Sequence, residues 1–167
     1  MKNEALENQI LSHNDGDTEG DQYLTFMLAG EEYGVDILRV QEIKGLSGVT
    51  EIPNTPEFVL GVINLRGTVI PVVDLRLRFG MQSLEYSKVT VVIVMRVHKE
   101  GGERIMGFVV DTVSDVYNIV SQDISEAPDF GSQVDTSFVT GLASVDDKMV
   151  IVLDVDQLAS EDDLVGV

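Results

Sequence analysis

Residues 58–74 read FVLGVINLRGTVIPVVD, and this stretch decides the fold. Two apolar runs, 58–63 and 69–73, flank Asn64, Leu65, Arg66, Gly67 and Thr68. Branched apolar runs joined by a short Asn- and Gly-containing connection predict a strand, a tight turn and a strand. Arg66 is the only charge between the first strand and the closing Asp74. A guanidinium set beside a turn glycine, between two buried strands, needs an acceptor within the fold or on another molecule.

On the N-terminal side, residues 23–28 read as a strand, 29–32 as a turn, and 33–35 as the returning strand. Residues 37–43 switch period, which predicts one or two helical turns with Ile37 and Val40 on one face. Glycines at 45 and 48 end that segment, and Pro53 and Pro56 stiffen the approach to the opening stretch. After the stretch, residues 74–79 read as a short helix capped by Asp74 and ended by Gly80. Residues 88–97 predict a long strand buried on both faces, returning at 104–110 through a glycine turn. Residues 112–120 fit a strand or a short helix, and 121–135 is mostly loop. A second hairpin follows, 138–145 and 148–153 across Asp146 and Asp147, and 154–158 opens a terminal helix. About ten short strands with frequent turn signals give an all-β expectation, a small barrel or sandwich.

The second half of the chain repeats the first. At a shift of 80, Phe58 falls on Phe138, Val59 on Val139, Gly61 on Gly141 and Asp74 on Asp154. At a shift of 73, Gly34 falls on Gly107, Val40 on Val113, Glu42 on Asp115 and Ile43 on Val116. The change from 73 to 80 places seven extra residues in the second copy. Units of 70–80 residues are near the lower limit for a self-sufficient core, so the two copies should share an apolar seam. The charges do not repeat. Glu42 and Arg66 can pair, whereas Asp115 and Asp146 stand at the corresponding places. That asymmetry marks the first-copy turn as a site.

Composition narrows the function. The 167 residues hold 29 acidic and 11 basic side chains, a net charge of -18. Such a chain repels nucleic acid and anionic membrane surfaces; its acidity serves solubility or a basic partner. There is no cysteine, hence no disulfide or zinc–thiolate site. The polar first ten residues do not resemble a secretory signal, and the apolar run 89–97 is too short to cross a bilayer. A cytoplasmic protein without membrane insertion is expected. Residues 1–20 read as an acidic tail, 21–160 as the ordered domain and 161–167 as a frayed end. Asp15, Asp17, Glu19 and Gly20 imitate the opening of a calcium loop, but Phe26 occupies the place of the bidentate Glu. His13 lies in the tail and His98 beside a turn, and neither suits a catalytic constellation. The carboxylates Asp36, Glu42, Asp74, Asp111, Asp115 and Asp154 could in principle bind a metal, although helix capping accounts for Asp74 and Asp154. No enzyme activity and no cofactor are expected. The competing reading is a small-ligand or metal-dependent carboxylate site on a β-barrel.

Several runs together resemble the CheW family of bacterial chemotaxis coupling proteins. They are EEYGVDI at 31–37, VQEI at 40–43, GVINLRG at 61–67, IPVVDL at 70–75 and VVD at 109–111, and the resemblance spans residues 20–158. It implies two intertwined five-stranded barrels of Src-homology-3-like type, with short helices and a C-terminal helix. It also implies an adaptor that links the cytoplasmic tips of methyl-accepting chemoreceptors to the regulatory domain of the histidine kinase CheA. Receptor state would then set kinase autophosphorylation. Recruitment to receptor arrays at the inner face of the membrane would follow, with contacts between CheW copies in the array rings.

The first-copy surface with Ile37, Val40, Glu42 and Arg66 is expected to hold the kinase, and the resemblance supports this for Ile37 and Val40. For Ile37 and Val40 the alternative is core packing. For Glu42 and Arg66 the alternative is an internal pair that braces the turn. Gly61, Asn64 and Gly67 are expected to serve turn geometry or close backbone approach. Val113 and Val116 are read either as core or as the wall of a receptor groove, with a receptor hairpin lying in the seam between the barrels.

Overall fold

The computed structural model describes residues 20–126 and 137–159. In chain order the strands are β1 (Asp21–Leu28), β2 (Glu31–Asp36), β3 (Val40–Gly45), β4 (Val59–Leu65), β5 (Thr68–Asp74), β6 (Val91–Lys99), β7 (Gly102–Val110), β8 (Thr112–Ile119), β9 (Ile124–Ser125), β10 (Val139–Val145) and β11 (Lys148–Leu153). Two single-turn helices, α1 (Leu75–Arg78) and α2 (Val155–Leu158), follow β5 and β11. Asp74 and Asp154 cap them, accepting from Arg76 N and Leu77 N and from Asp156 N respectively.

The strands form two curled sheets, in the orders β8-β1-β2-β11-β10-β9 and β3-β6-β7-β5-β4. Neither barrel is built from one half of the chain. The hairpin β1–β2 sits among the strands of the second copy, and β6–β7 among those of the first. The registers reproduce the sequence repeat. Val72 pairs with Gly107 and Val152 with Gly34, both in parallel. Val40 faces Met95, and Val113 faces Phe26. Both copies also carry a register shift at the same place, between Val59 and Gly61 and between Val139 and Gly141.

The repeated glycines are required by close approach. A Cβ on Gly61 would lie 2.0 Å from the Thr50 carbonyl oxygen, and one on Gly141 would lie 2.4 Å from that of Ser125. Thr50 bridges Val62 as Ser125 pairs with Leu142, so a second segment crosses each bulge at backbone distance.

The largest apolar cluster lies in the seam between the sheets and includes Leu24, Phe26, Ile43, Ile93, Phe108, Val113 and Leu158. Smaller clusters fill the barrels, one around Ile63, Ile70 and Val92, the other around Ile119, Ala143 and Val152. Each barrel alone has little to bury, and the shared seam supplies most of the hydrophobic stabilisation.

The chain passes between barrels twice, at residues 37–39 and at Asp111, and each crossover is fastened to a short helix. Arg39 donates two hydrogen bonds to Asp156 beside α2, at 2.7 and 2.9 Å. Arg76 on α1 donates two to Asp111, both 2.7 Å. The hydrogen bonds from Arg39 hold the Asp156 carboxyl below its ordinary value, with burial working against them. For Asp111, burial pushes the value up, but the bonds from Arg76 and Ala29 N outweigh it and leave the group low.

One local expectation is corrected. Residues 37–43 are not a helix of one or two turns. Only Ile37–Arg39 forms a 3-10 turn, and β3 starts at Val40, because pairing with β6 overrides the local helical spacing. Within the expected loop 121–135, Ile124–Ser125 forms a strand against β10. The ambiguous segment 112–120 is strand over Thr112–Ile119. The calcium-like Asp15, Asp17 and Glu19, His13, and the end at 161–167 lie outside the described residues.

Candidate functional site

The β4–β5 connection is a two-residue turn, Leu65 pairing with Thr68. Arg66 and Gly67 have φ of 49° and 90°, the left-handed pair that a tight hairpin with right-handed twist requires. Asn64 secures it, its Oδ1 accepting from Gly67 N at 2.8 Å. Asn64 and Gly67 thus serve turn geometry, and Gly61 serves close approach. Arg66 then reaches Glu42 on β3, with 3.1 Å between Nη2 and Oε2. β3 and β4 are the two edges of the five-stranded sheet, so the pair joins those edges at the barrel mouth. The Arg66 side chain remains 69% exposed and that of Glu42 21%. One geometry therefore braces the barrel and presents a cation outward.

The second barrel copies the turn but not its charge. Asp146 and Asp147 have φ of 50° and 64°. The cation here is Lys148, which sits 3.3 Å from Glu32 and over the Tyr117 ring. Glu32 is buried, and its Oε2 has no hydrogen-bond partner. Beside each turn an apolar side chain faces outward, Val69 at 56% exposure and Met149 at 53%, and these two are equivalent at the shift of 80. The two barrel tips thus share one shape with opposite charge.

The structure redistributes the other predicted residues. Ile37 and Val40 are buried, so they do not offer an exposed apolar contact. The reason is the correction above: Ile37 closes a 3-10 turn inward, and Val40 begins a strand facing the seam. The exposed residue of that segment is Leu38, 59% exposed. Its backbone is pinned, Leu38 N donating to Asp36 Oδ1 and Arg96 Nη2 donating to Leu38 O. Val113 is buried in the seam, and Val116 packs partly buried against it. A receptor groove cannot be walled by Val113. At the rim of this apolar seam Phe58, Phe79, Met81, Val116, Val139 and Ile151 stay partly accessible.

Sequence reading missed the two Arg–Asp clamps. A signal existed: Arg76 falls on Asp156 at the shift of 80, and Arg39 falls one residue beyond Asp111 at the shift of 73. The clamp repeats with its charges reversed and one residue out of step at the crossover, so matching like residues does not reveal it. It also missed Tyr86, whose hydroxyl donates to Asp74 Oδ2 at 2.6 Å and ties down the loop after α1. Burial first, then that bond, pushes the Tyr86 hydroxyl well above its ordinary value. Among the described residues no group of three or more His, Asp or Glu side chains is placed to hold a metal ion. No helix among them is long and apolar enough to cross a membrane.

Comparison with known proteins places this geometry. The CheW-like domain family matches residues 22–163. The chemotaxis protein CheW of Klebsiella aerogenes is 44% identical over 149 residues, covering 89% of this chain and 87% of that one. The chemotaxis protein CheW of Rhizobium meliloti is 36% identical over 139 residues, covering 83% and 87%. The crystal structure of the scaffolding protein TtCheW from Thermoanaerobacter tengcongensis superposes with a TM-score of 0.74 at 40% identity, covering 83% of this chain and 92% of that one.

Proposed function

Because the chain belongs to the CheW-like family, and so is a non-catalytic scaffold of bacterial chemotaxis with two Src-homology-3-like barrels, we propose that it couples chemoreceptors to the histidine kinase CheA. In this reading it bridges receptor tips and the kinase's regulatory domain, so that receptor state sets autophosphorylation. The observation that carries the reading is the pair of barrel tips. They have the same backbone and an equivalent exposed apolar residue, but Arg66 marks one and Asp146 and Asp147 mark the other. A bridging protein needs two addressable ends, and charge on a common shape distinguishes them. The wider charge pattern leans the same way. Strands of the six-stranded sheet carry Lys148 against Asp21, Glu31, Glu32, Asp36 and Asp115, whereas those of the five-stranded sheet carry Lys44, Arg96, Lys99 and Arg104 against Glu42, Asp74 and Glu103.

On this reading the kinase side is the first-barrel tip, with Arg66 and Glu42, and the pinned Leu38 takes the contact expected of Ile37 and Val40. Receptors meet the rim of the seam, and copies also contact one another in array rings. The protein is cytoplasmic and is recruited to arrays at the inner face of the membrane. The test is co-sedimentation with receptor-containing vesicles and CheA, read together with kinase activity. Wild-type protein should join the pellet and raise receptor-controlled phosphorylation. Arg66→Ala and Glu42→Lys should weaken kinase recruitment while the circular dichroism spectrum stays native. If both variants recruit kinase normally, the tip is only a brace.

A further inference from the structure

The two phenylalanines related by the shift of 80, Phe58 and Phe138, both hold one guanidinium over their rings at the seam. Arg78 Cζ lies 4.8 Å from the centroid of Phe58 and 4.7 Å from that of Phe138. Its Nε donates to the Leu158 carbonyl at 3.0 Å. Leu158 is the residue onto which Arg78 itself falls at that shift. The approximate two-fold relation between the copies therefore passes through this spot and is broken there, a cation on one side and a buried leucine on the other.

Among the described residues no carboxylate pairs with Arg78, and no acceptor is bonded to its Nη1 or Nη2. The other arginines on the short connections differ: Arg39 and Arg76 each donate two hydrogen bonds to an aspartate. Arg78 lies over two rings and has its Nε bonded, so its position is held while its terminal nitrogens have no acceptor among the described residues. That is the preorganised half of a bidentate carboxylate contact, in which the guanidinium fork loses little freedom on binding. The surroundings fit a protein segment better than a free anion, because partly accessible Phe79, Met81 and Val139 belong to the same seam cluster.

We propose that Arg78 is a carboxylate-binding fork at the rim of the seam, taking an Asp or Glu side chain of the segment that docks there. The inference rests on the receptor reading above for the identity of that segment. The apolar rim receives the apolar side of the segment, and Arg78 fixes its register.

The test measures binding of a soluble chemoreceptor signalling-tip fragment to wild type, Arg78→Met and Arg78→Lys. Arg78→Met should lower affinity about tenfold or more, as for truncating one partner of a desolvated charge pair. Arg78→Lys keeps the charge without the fork and should recover only part of the loss. If Arg78→Met fails to fold, Arg78→Lys decides alone, with its thermal midpoint as the control. Fragment carboxylates changed one at a time to amides should include one that weakens wild type but leaves Arg78→Met unaffected. CheA binding should not change. Equal binding by all three proteins, or the absence of a coupled carboxylate, overturns the fork while leaving the receptor reading intact. No binding of the fragment by wild type overturns both.

Discussion

At the residue scale, repeated and unrepeated positions do different work. Gly61 repeats because backbone crosses it: a Cβ there would overlap the Thr50 oxygen, and its φ of 148° already suits glycine. Gly61→Ala should therefore cost roughly 2–4 kcal/mol, seen as a lowered urea midpoint. Arg66 does not repeat, and its side chain stays largely exposed beside the more sheltered Glu42. Arg66→Ala should cost under about 1 kcal/mol by the same measurement, since solvent screens such pairs. A large stability loss at Arg66, or none at Gly61, would reverse these roles. Both positions were legible in the sequence, Gly61 through the repeat and Arg66 through its failure to repeat. Leu38 was not. Its exposure depends on where the 3-10 turn gives way to β3, and a partner strand far along the chain sets that point.

At the scale of elements, the crossovers are held by clamps as well as by the burial of Ile37. Asp156 and Asp111 both titrate below the ordinary carboxylate value of 3.8 in the folded protein. Below that value the unfolded chain binds protons that the folded chain resists. The stabilisation is thus complete above the unfolded value and is lost as pH falls through the folded one. Unfolding free energy followed from about pH 6 down to about pH 3 should decline, and Asp156→Asn should flatten the lower part of that curve. At neutral pH the same substitution should cost roughly 1–3 kcal/mol, the range for hydrogen bonds to charged groups. A mutant curve parallel to wild type throughout would show that the clamp carries no proton linkage. Local pattern identified the hairpins and the Asp-capped helices, because both follow from near neighbours. It misread 37–43, where helical spacing and strand pairing competed and the non-local partner β6 prevailed.

At the scale of the whole molecule, the exchange of hairpins makes the two barrels one folding unit. β1–β2 completes the barrel whose other strands lie beyond residue 111, and β6–β7 completes the barrel begun by β3, β4 and β5. A fragment ending near residue 85 should remain unfolded by circular dichroism, and mixing it with the remainder should restore the β spectrum. A fragment that folds cooperatively alone would contradict the exchange. The same interlocking suits a scaffold, since a load applied at one tip reaches the other through a continuous core rather than a linker.

The sequence by itself determined the all-β class, the duplication with its two shifts, the turn chemistry around Arg66 and the resemblance to the CheW family. These are readable because strand period, turn residues and repeats are written within short windows or as copies of one another. Only the tertiary structure decided which hairpin enters which barrel, that Ile37, Val40 and Val113 are core, and that Arg78 lies over Phe58 and Phe138. Those outcomes depend on how two marginal cores merge into one seam. Burial at a seam is a property of both halves together, and no single window of sequence contains it.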